Sequence, residues 1–152
     1  MFTGIRAITD SNKKEVLHLK IAEQQQGFIE PVSQCLADAE KDARYLPLAL
    51  YENGEIIGFS MYGKFDGQIW LDRYLIDERF QGKGLGRRFF RVLVEHLLER
   101  YPKQPIYLSV FEENKVAIQL YQKFGFSFTK ELDENGERIM IYPSEGLLNL
   151  KE

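Results

Sequence analysis

The sequence predicts a mixed α/β domain with a central, mostly antiparallel sheet of about seven strands flanked by four helices. Two observations predict this class. In the middle of the chain, strand-like segments meet at Asn53-Gly54 and Asp66-Gly67, turn sequences typical of antiparallel hairpins. Further along, strand-like segments alternate with helical patterns, which indicates a parallel crossing and helices on both faces. The length of 152 residues fits a single domain over 1–152.

The first half of the chain is expected to form two helices and four strands. Residues 2–8 alternate as in a strand, and capping residues at 9–11 precede a helix expected over 12–22. Pro31 can open a second helix that reaches about Asp42. Three further strands are expected, at 48–51, 55–62 and 68–77.

The second half is expected to form two helices and three strands. Over 84–101, apolar residues recur four positions apart on one helical face, at Leu85, Phe89, Leu93 and Leu97. A buried strand over 106–111 precedes a helix over 114–124, which Gly125 can end in a left-handed conformation. The last hairpin is expected to pair 126–130 with 138–142 around Asn135-Gly136. The predicted order is β-α-α-β-β-β-α-β-α-β-β.

Composition limits the partners and the compartment. The net charge of −3 argues against a nucleic-acid or anionic-membrane partner. No apolar run approaches the ~20 residues that span a bilayer, and the first residues lack the apolar core of a signal peptide. The one cysteine, Cys35, excludes an intramolecular disulfide and fits a reducing cytoplasm. We therefore expect a cytoplasmic protein.

The most informative segment is 69–90, which reads IWLDRYLIDERFQGKGLGRRFF. A strand-like run leads into a glycine-rich loop that opens a helix, so several backbone amides and the helix dipole converge on one spot. Gly82, Gly84 and Gly86 let the backbone approach a ligand closely, beside Gln81 and Lys83. This pattern favours phosphate or pyrophosphate binding. The alternative is an ordinary strand–turn–helix with glycines for turn geometry.

The spacing of the glycines in this loop narrows the choice of phosphate ligand. A Walker loop is absent, and the third glycine falls one residue too early for a dinucleotide fingerprint. The string at 81–86, QGKGLG, fits Q-x-x-G-x-G and resembles the acetyl-CoA pyrophosphate loop of the GCN5-related N-acetyltransferase (GNAT) family. The order of elements over about 2–143 also matches this family's fold. The resemblance implies acetyl-CoA as co-substrate, held by the loop residues Gln81, Gly82, Lys83, Gly84, Leu85 and Gly86.

The resemblance implies two further cofactor contacts. In the family, the strand before the loop splays from its neighbour, and its free backbone groups pair with the pantetheine arm; the matching residues are Tyr74, Leu75 and Ile76. The alternative is a plain core strand. Asn114 suits the N-cap of the next helix, and by resemblance it also contacts the cofactor.

Acetyl transfer to an amine needs a proton donor for the leaving thiolate and a group that binds and deprotonates the ammonium. Tyr121 matches the family's N…Y…GF pattern, which implies a general acid; the alternative is a packed core tyrosine. Asp72 is the best-placed carboxylate for the amine, and the alternative is a surface pair with Arg73 or Lys64. Glu112 and Glu30 are weaker candidates for binding a cationic acceptor.

No metal site is expected, because His18, His96 and Cys35 show no ligand spacing. The strings WLDRYLIDERFQGKGLG, SVFEENKVAIQLYQKFGF and FIEP most resemble bacterial spermine/spermidine N-acetyltransferases. That resemblance implies direct transfer, in a ternary complex, to a small-molecule primary amine of the polyamine class. Family members are often dimers, and the aromatic-rich final hairpin offers a surface for a homodimer. Three alternatives stay open: another amine (a peptide N-terminus, an antibiotic or an amino acid), a non-catalytic acyl-CoA-binding regulatory domain, and a nucleotide-phosphate binder.

Overall fold

The computed structural model describes residues 1–21 and 31–143, which form seven strands and four helices. In chain order the elements are β1 Gly4–Ala7, α1 Lys13–Val16, α2 Val32–Lys41, β2 Tyr45–Glu52, β3 Glu55–Phe65, β4 Gln68–Ile76, α3 Leu85–Arg100, β5 Ile106–Val110, α4 Lys115–Lys123, β6 Ser127–Leu132 and β7 Arg138–Tyr142. The strands form one sheet in the order β1-β2-β3-β4-β5-β7-β6, and only β4 and β5 run parallel. The predicted class and element order are confirmed.

Two tight turns set the register of β2, β3 and β4. Asn53 and Gly54 have φ of 50° and 80°, and Asp66 and Gly67 have φ of 49° and 79°. Two successive residues of positive φ match the right-handed twist of a hairpin, which is why Asn-Gly and Asp-Gly are favoured there. Both hairpins predicted from these dipeptides are confirmed.

Alternate residues of each central strand pack on opposite faces of the sheet. On β2, Ala49 and Tyr51 pack with α1 and α2, in a cluster that also contains buried Cys35. Leu48 packs on the opposite face with α3 and α4, around a fully buried Phe90. Helices therefore cover both faces, as expected. Within the described residues, no helix is long and apolar enough to cross a membrane.

The parallel pair of β4 and β5 is short. It consists of Ile69 with Ile106 and Trp70 with Tyr107. Beyond Trp70, β4 stays paired with β3 as far as Ile76, but no pairing with β5 is found along the described chain. The two strands therefore diverge, and one edge of β4 is left without a strand partner. This gap between neighbouring strands positions the site described below.

The first helix is shorter than predicted. The prediction of a helix over 12–22 was wrong, because α1 ends at Val16. The amide of Lys20 donates to the carboxylate of Asp77 (2.9 Å), and the carbonyl of Lys20 accepts from the amide of Glu78 (3.0 Å). A longer helix would need that amide for its own i−4 bond, so the tertiary contact ends the helix early. Residue 22 lies outside the described residues.

Asp77 joins this segment to the end of β4. Its side chain is fully buried, and its carboxylate accepts hydrogen bonds from the amides of Lys20 and Arg79 and from the Arg79 guanidinium. Burial by itself raises the pKa of Asp77, but these hydrogen bonds outweigh burial and hold the pKa below its ordinary value. The ionised carboxylate therefore stabilises the approach to the glycine-rich loop.

Asp77→Asn is expected to lower the free energy of unfolding by about 2 kcal/mol at neutral pH, because it weakens several bonds to a buried charge. A depressed pKa contributes stability above the unfolded value of ~3.9 and loses it as pH falls through the folded value. The difference in unfolding free energy between wild type and variant should therefore shrink below about pH 4, as measured by urea denaturation across pH. Asp10→Asn, at an exposed position, is the control. A difference in unfolding free energy that does not depend on pH would contradict this role.

Candidate active site

A cleft of about 1660 Å³ opens where β4 and β5 diverge. One wall comes from β4 and the loop before α3, and the other from the end of β5, from α4 and from the β6–β7 hairpin. Eight of the predicted site residues line it: Asp72, Tyr74, Ile76, Gln81, Gly82, Gly86, Asn114 and Tyr121. The structure thus brings most of the predicted site together in one continuous space.

The glycine-rich loop presents unused backbone amides. Gly82 and Gly84 have φ of +79° and +78°, a left-handed conformation that favours glycine. The first helical bond of α3 runs from the amide of Arg88 to the carbonyl of Gly84 (3.2 Å). Over the described residues, the amides of 82–87 donate to no protein acceptor. Such a set of amides at a helix N-terminus suits a pyrophosphate.

The space in front of this loop is open. A Cβ added at Gly82 or Gly84 would meet no atom within 4 Å. Lys83 is exposed on the loop, with its ammonium 5.9 Å from the Phe80 ring centroid, and Leu85 packs near Ile76. The residues present therefore fit the diphosphate of a coenzyme: bare amides, an adjacent cation and room for the ligand.

Two side chains tie the loop to β4. The side-chain amide of Gln81 donates to the carbonyl of Ile76 (2.9 Å), and the hydroxyl of Tyr74 donates to the carbonyl of Gly86 (2.5 Å). Burial raises the pKa of Tyr74, and the neighbouring Tyr121 adds to the rise, so the phenol stays protonated and remains a donor. Both contacts hold the loop at a fixed distance from the strand edge.

The predicted strand edge is present. Tyr74, Leu75 and Ile76 all pair with β3, while no β5 partner faces them within the described ranges. The Tyr74 and Ile76 side chains lie toward α3, and Leu75 packs on the opposite face beside α2. An extended amide chain lying in the gap could therefore hydrogen-bond the backbone of β4, as an added strand does.

Asn114 and Tyr121 both lie on α4. The side-chain Oδ1 of Asn114 accepts from the amide of Ala117 (3.4 Å), so Asn114 is the N-cap. Tyr121 lies two turns further on, with its ring centroid 5.1 Å from that of Phe90. Burial, and then the charge of Glu137, raises the pKa of Tyr121 to about 12. Tyr121 is therefore both a packed aromatic and a protonated hydroxyl on the cleft wall.

The predicted acidic residues have different surroundings. Asp72 is the extra residue where the β3–β4 register shifts, so it forms a bulge; it lines the cleft and pairs with the Arg73 guanidinium at 3.1 Å. Glu112 does not line the cleft: it is exposed and pairs with Arg138 at 2.9 Å. Glu30 lies outside the described residues. Of the three, only Asp72 is found among the cleft-lining residues that the structure describes.

The structure adds an ionisable group that the sequence did not indicate. Glu137, one residue before β7, lines the same cleft. Burial, and then its hydrogen-bonded neighbour Asp133, raises the pKa of Glu137 to about 7. The Asn135-Gly136 turn predicts a hairpin here, but nothing local predicts that its end reaches Asp72 and Tyr121.

Within the described chain, no group of three or more His, Cys, Asp or Glu residues could hold a metal.

Comparison with known proteins agrees with this geometry. A sequence model of the acetyltransferase (GNAT) family matches residues 13–126. The spermine/spermidine N(1)-acetyltransferase of Bacillus subtilis (strain 168) is 46% identical over 149 residues, covering 93% of this chain and 98% of that protein.

Two solved structures share the fold at lower identity. The aminoglycoside acetyltransferase AAC(6')-Ib in complex with coenzyme A superposes with a TM-score of 0.76 at 20% identity, covering 99% of this chain and 100% of the other. A spermidine N-acetyltransferase SpeG chimera from Vibrio cholerae and hSSAT superposes with a TM-score of 0.72 at 19% identity, covering 95% and 97%. At this identity the likeness shows the fold alone.

The family match extends from the start of α1 to the residue before β6, and so includes the diverging strands and the glycine-rich loop. Acetyl-CoA is the co-substrate that such a loop accepts in this family. The chain belongs to the acetyltransferase (GNAT) family and is an acetyl-CoA-dependent N-acetyltransferase.

Proposed function

We propose that this protein transfers the acetyl group of acetyl-CoA directly to a primary amine of a polyamine such as spermidine or spermine. One observation carries the proposal: a single cleft connects the bare amides of the loop before α3 to an acidic and aromatic mouth beyond β4. The close relative named for spermine and spermidine supports the acceptor class. The loop fits the coenzyme, and the mouth fits a cation.

The mouth combines rings with carboxylates. Tyr45, Phe65 and Trp70 line it together with Asp38 and Asp72. The rings of Tyr45 and Phe65 meet edge to face, with centroids 5.4 Å apart. Polyamines alternate methylene linkers with ammonium groups, so their linkers can pack on the rings while their charges bind the carboxylates. Asp72 lies at the bulge in β4, beside the strand gap, and is the proposed ammonium ligand.

The cofactor half of the cleft supports a matching set of roles. The amides of 82–87 and the cationic Lys83 bind the pyrophosphate, the free edge of 74–76 aligns the pantetheine arm, and Asn114 contacts the same ligand. Tyr121 donates a proton to the leaving sulfur. A phenol is a weaker acid than a thiol of ordinary pKa ~8.5, so the transfer depends on positioning and on the charge that forms on sulfur late in the reaction.

The proposal extends to the compartment and the oligomeric state of the protein. The buried Cys35 and the acidic balance of −3 support a cytoplasmic enzyme acting on a small molecule rather than on nucleic acid or a membrane. The β6–β7 hairpin is the candidate surface for a homodimer, because Phe128 lies on this outer edge of the sheet, where Arg138 covers its ring.

Steady-state acetylation of an amine panel tests the acceptor class. We expect kcat/KM for spermidine to exceed that for an amino acid or a peptide N-terminus by at least about tenfold, because a second ammonium contact contributes about 1.4 kcal/mol. An aminoglycoside is included to represent antibiotics. Preference for a neutral or anionic acceptor would contradict the polyamine assignment. Coenzyme binding without transfer to any amine would favour a regulatory acyl-CoA-binding domain.

Gly84→Ala is expected to weaken coenzyme A binding roughly tenfold or more in calorimetry, because a Cβ strains the left-handed backbone and enters the space of the ligand. Gly67→Ala is the matched control: Gly67 has φ of +79°, a Cβ there also meets nothing within 4 Å, and it lies in the distant β3–β4 turn. Equal affinities for the two variants would refute the loop as the pyrophosphate site. Protection by ATP or NAD in competition with coenzyme A would support a nucleotide binder.

Tyr121→Phe is expected to lower kcat at least about tenfold, with little change in KM for acetyl-CoA, since it removes a proton donor and keeps the ring. Tyr142→Phe is the control, because its ring packs in the same aromatic cluster, 5.6 Å from Phe126. Thermal unfolding of both variants checks that packing is unchanged. Activity of Tyr121→Phe within a fewfold of wild type would remove this hydroxyl from the mechanism.

A further inference from the structure

Glu137 is held on the cleft wall by the turn that precedes β7. Its amide donates to the Asp133 carboxylate (2.8 Å), and its carbonyl accepts from the Asp133 amide (2.9 Å). The same carboxylate also accepts from the amide of Asn135 (2.9 Å). These bonds fix the backbone of Glu137, so its position does not depend on a loose surface loop.

Charged and titratable groups face Glu137 from each neighbouring element. Asp133 comes from its own hairpin, Asp72 and Arg73 come from β4, and Tyr121 comes from α4; the charge of Glu137 interacts with each of them. The carboxylate is therefore near enough to the proposed ammonium ligand and to the proposed proton donor to interact with both. The acceptor nitrogen must react in this part of the cleft.

The carboxylates of Asp72 and Glu137 differ in their ion pairs. Asp72 is paired with the Arg73 guanidinium at 3.1 Å, and such a pair makes a carboxylate a poor proton acceptor. Glu137 forms no ion pair with any residue that the structure describes. Its backbone is fixed and its side chain is half-buried.

We propose that Glu137 is the general base that takes a proton from the acceptor ammonium, and that Asp72 only binds the cation. This inference rests on the proposed amine acetylation. An alkylammonium has a pKa near ~10.4, whereas an ordinary glutamate has a pKa of ~4.3 and is a weak base. With its pKa raised to about 7, Glu137 is a stronger base and is still about half ionised at neutral pH.

Proton transfer to Glu137 precedes bond formation at the acceptor nitrogen. Glu137 accepts one proton from R–NH3⁺, which leaves a neutral amine. The amine nitrogen attacks the thioester carbonyl carbon, so a C–N bond forms and the C–S bond then breaks. Tyr121 gives its hydroxyl proton to the departing sulfur, and the second proton lost from nitrogen restores the phenol. Glu137 releases its proton to water, so each turnover yields the amide, the free thiol and one proton.

The test is the pH dependence of kcat/KM for spermidine, between about pH 5.5 and 9. Wild type should show a rise with an apparent pKa near 7, because only ionised Glu137 accepts the proton. Glu137→Gln should lower kcat/KM at pH 7.5 by at least about thirtyfold and remove this rise. Its coenzyme A affinity should match wild type, which separates a lost base from a lost fold.

Two further variants test whether the rise in kcat/KM reports the ionisation of Glu137. Asp133→Asn keeps an oxygen that accepts the turn amides but removes the neighbouring charge, so the rise should move to lower pH by roughly half a unit or more. Glu131→Gln removes an exposed charge from the same hairpin and should leave the profile unchanged. A rise near pH 7 that persists in Glu137→Gln would overturn the proposal. If wild type acetylates no polyamine at any pH, it is instead the proposed acceptor class that fails.

Discussion

The short parallel contact between β4 and β5 is the constraint on which the site depends. Because pairing ends at Trp70 while β3 keeps β4 extended to Ile76, the two neighbours separate and one edge of β4 stays open. The gap connects the two faces of the sheet. The loop before α3 lies at one end and the acidic, aromatic mouth at the other, so a coenzyme and an amine can meet between the strands.

Contacts within the protein hold the elements around the gap in place and leave the ligand-binding amides without protein acceptors. Tyr74 and Gln81 fix the loop through the carbonyls of Gly86 and Ile76, while the amides of 82–87 remain available. Buried Asp77 holds the chain just before the loop. A preorganised set of donors binds an anion without reorganising first, which is the physical basis of the cofactor site.

Local features were predictable and long-range ones were not. The hairpins at Asn53-Gly54 and Asp66-Gly67 and the glycine-rich loop follow from a few adjacent residues, so the sequence alone predicts them. The early end of α1 depends on Asp77, 57 positions from Lys20, and no local pattern contains that bond. Glu137 reaches the cleft through the pairing of β7 with β5, whereas Glu112 lies outside the cleft and pairs with Arg138.

The central claim is that the amides of 82–87 bind the diphosphate of the coenzyme. A titration of the nitrogen-15-labelled protein with coenzyme A, followed by amide resonances, tests this claim most directly. We predict large shifts for these amides with coenzyme A, small ones with pantetheine, which lacks the diphosphate, and none for the matched turn glycine Gly67. Saturable coenzyme A binding that leaves the resonances of 82–87 in place, or equal shifts with pantetheine, would contradict the account.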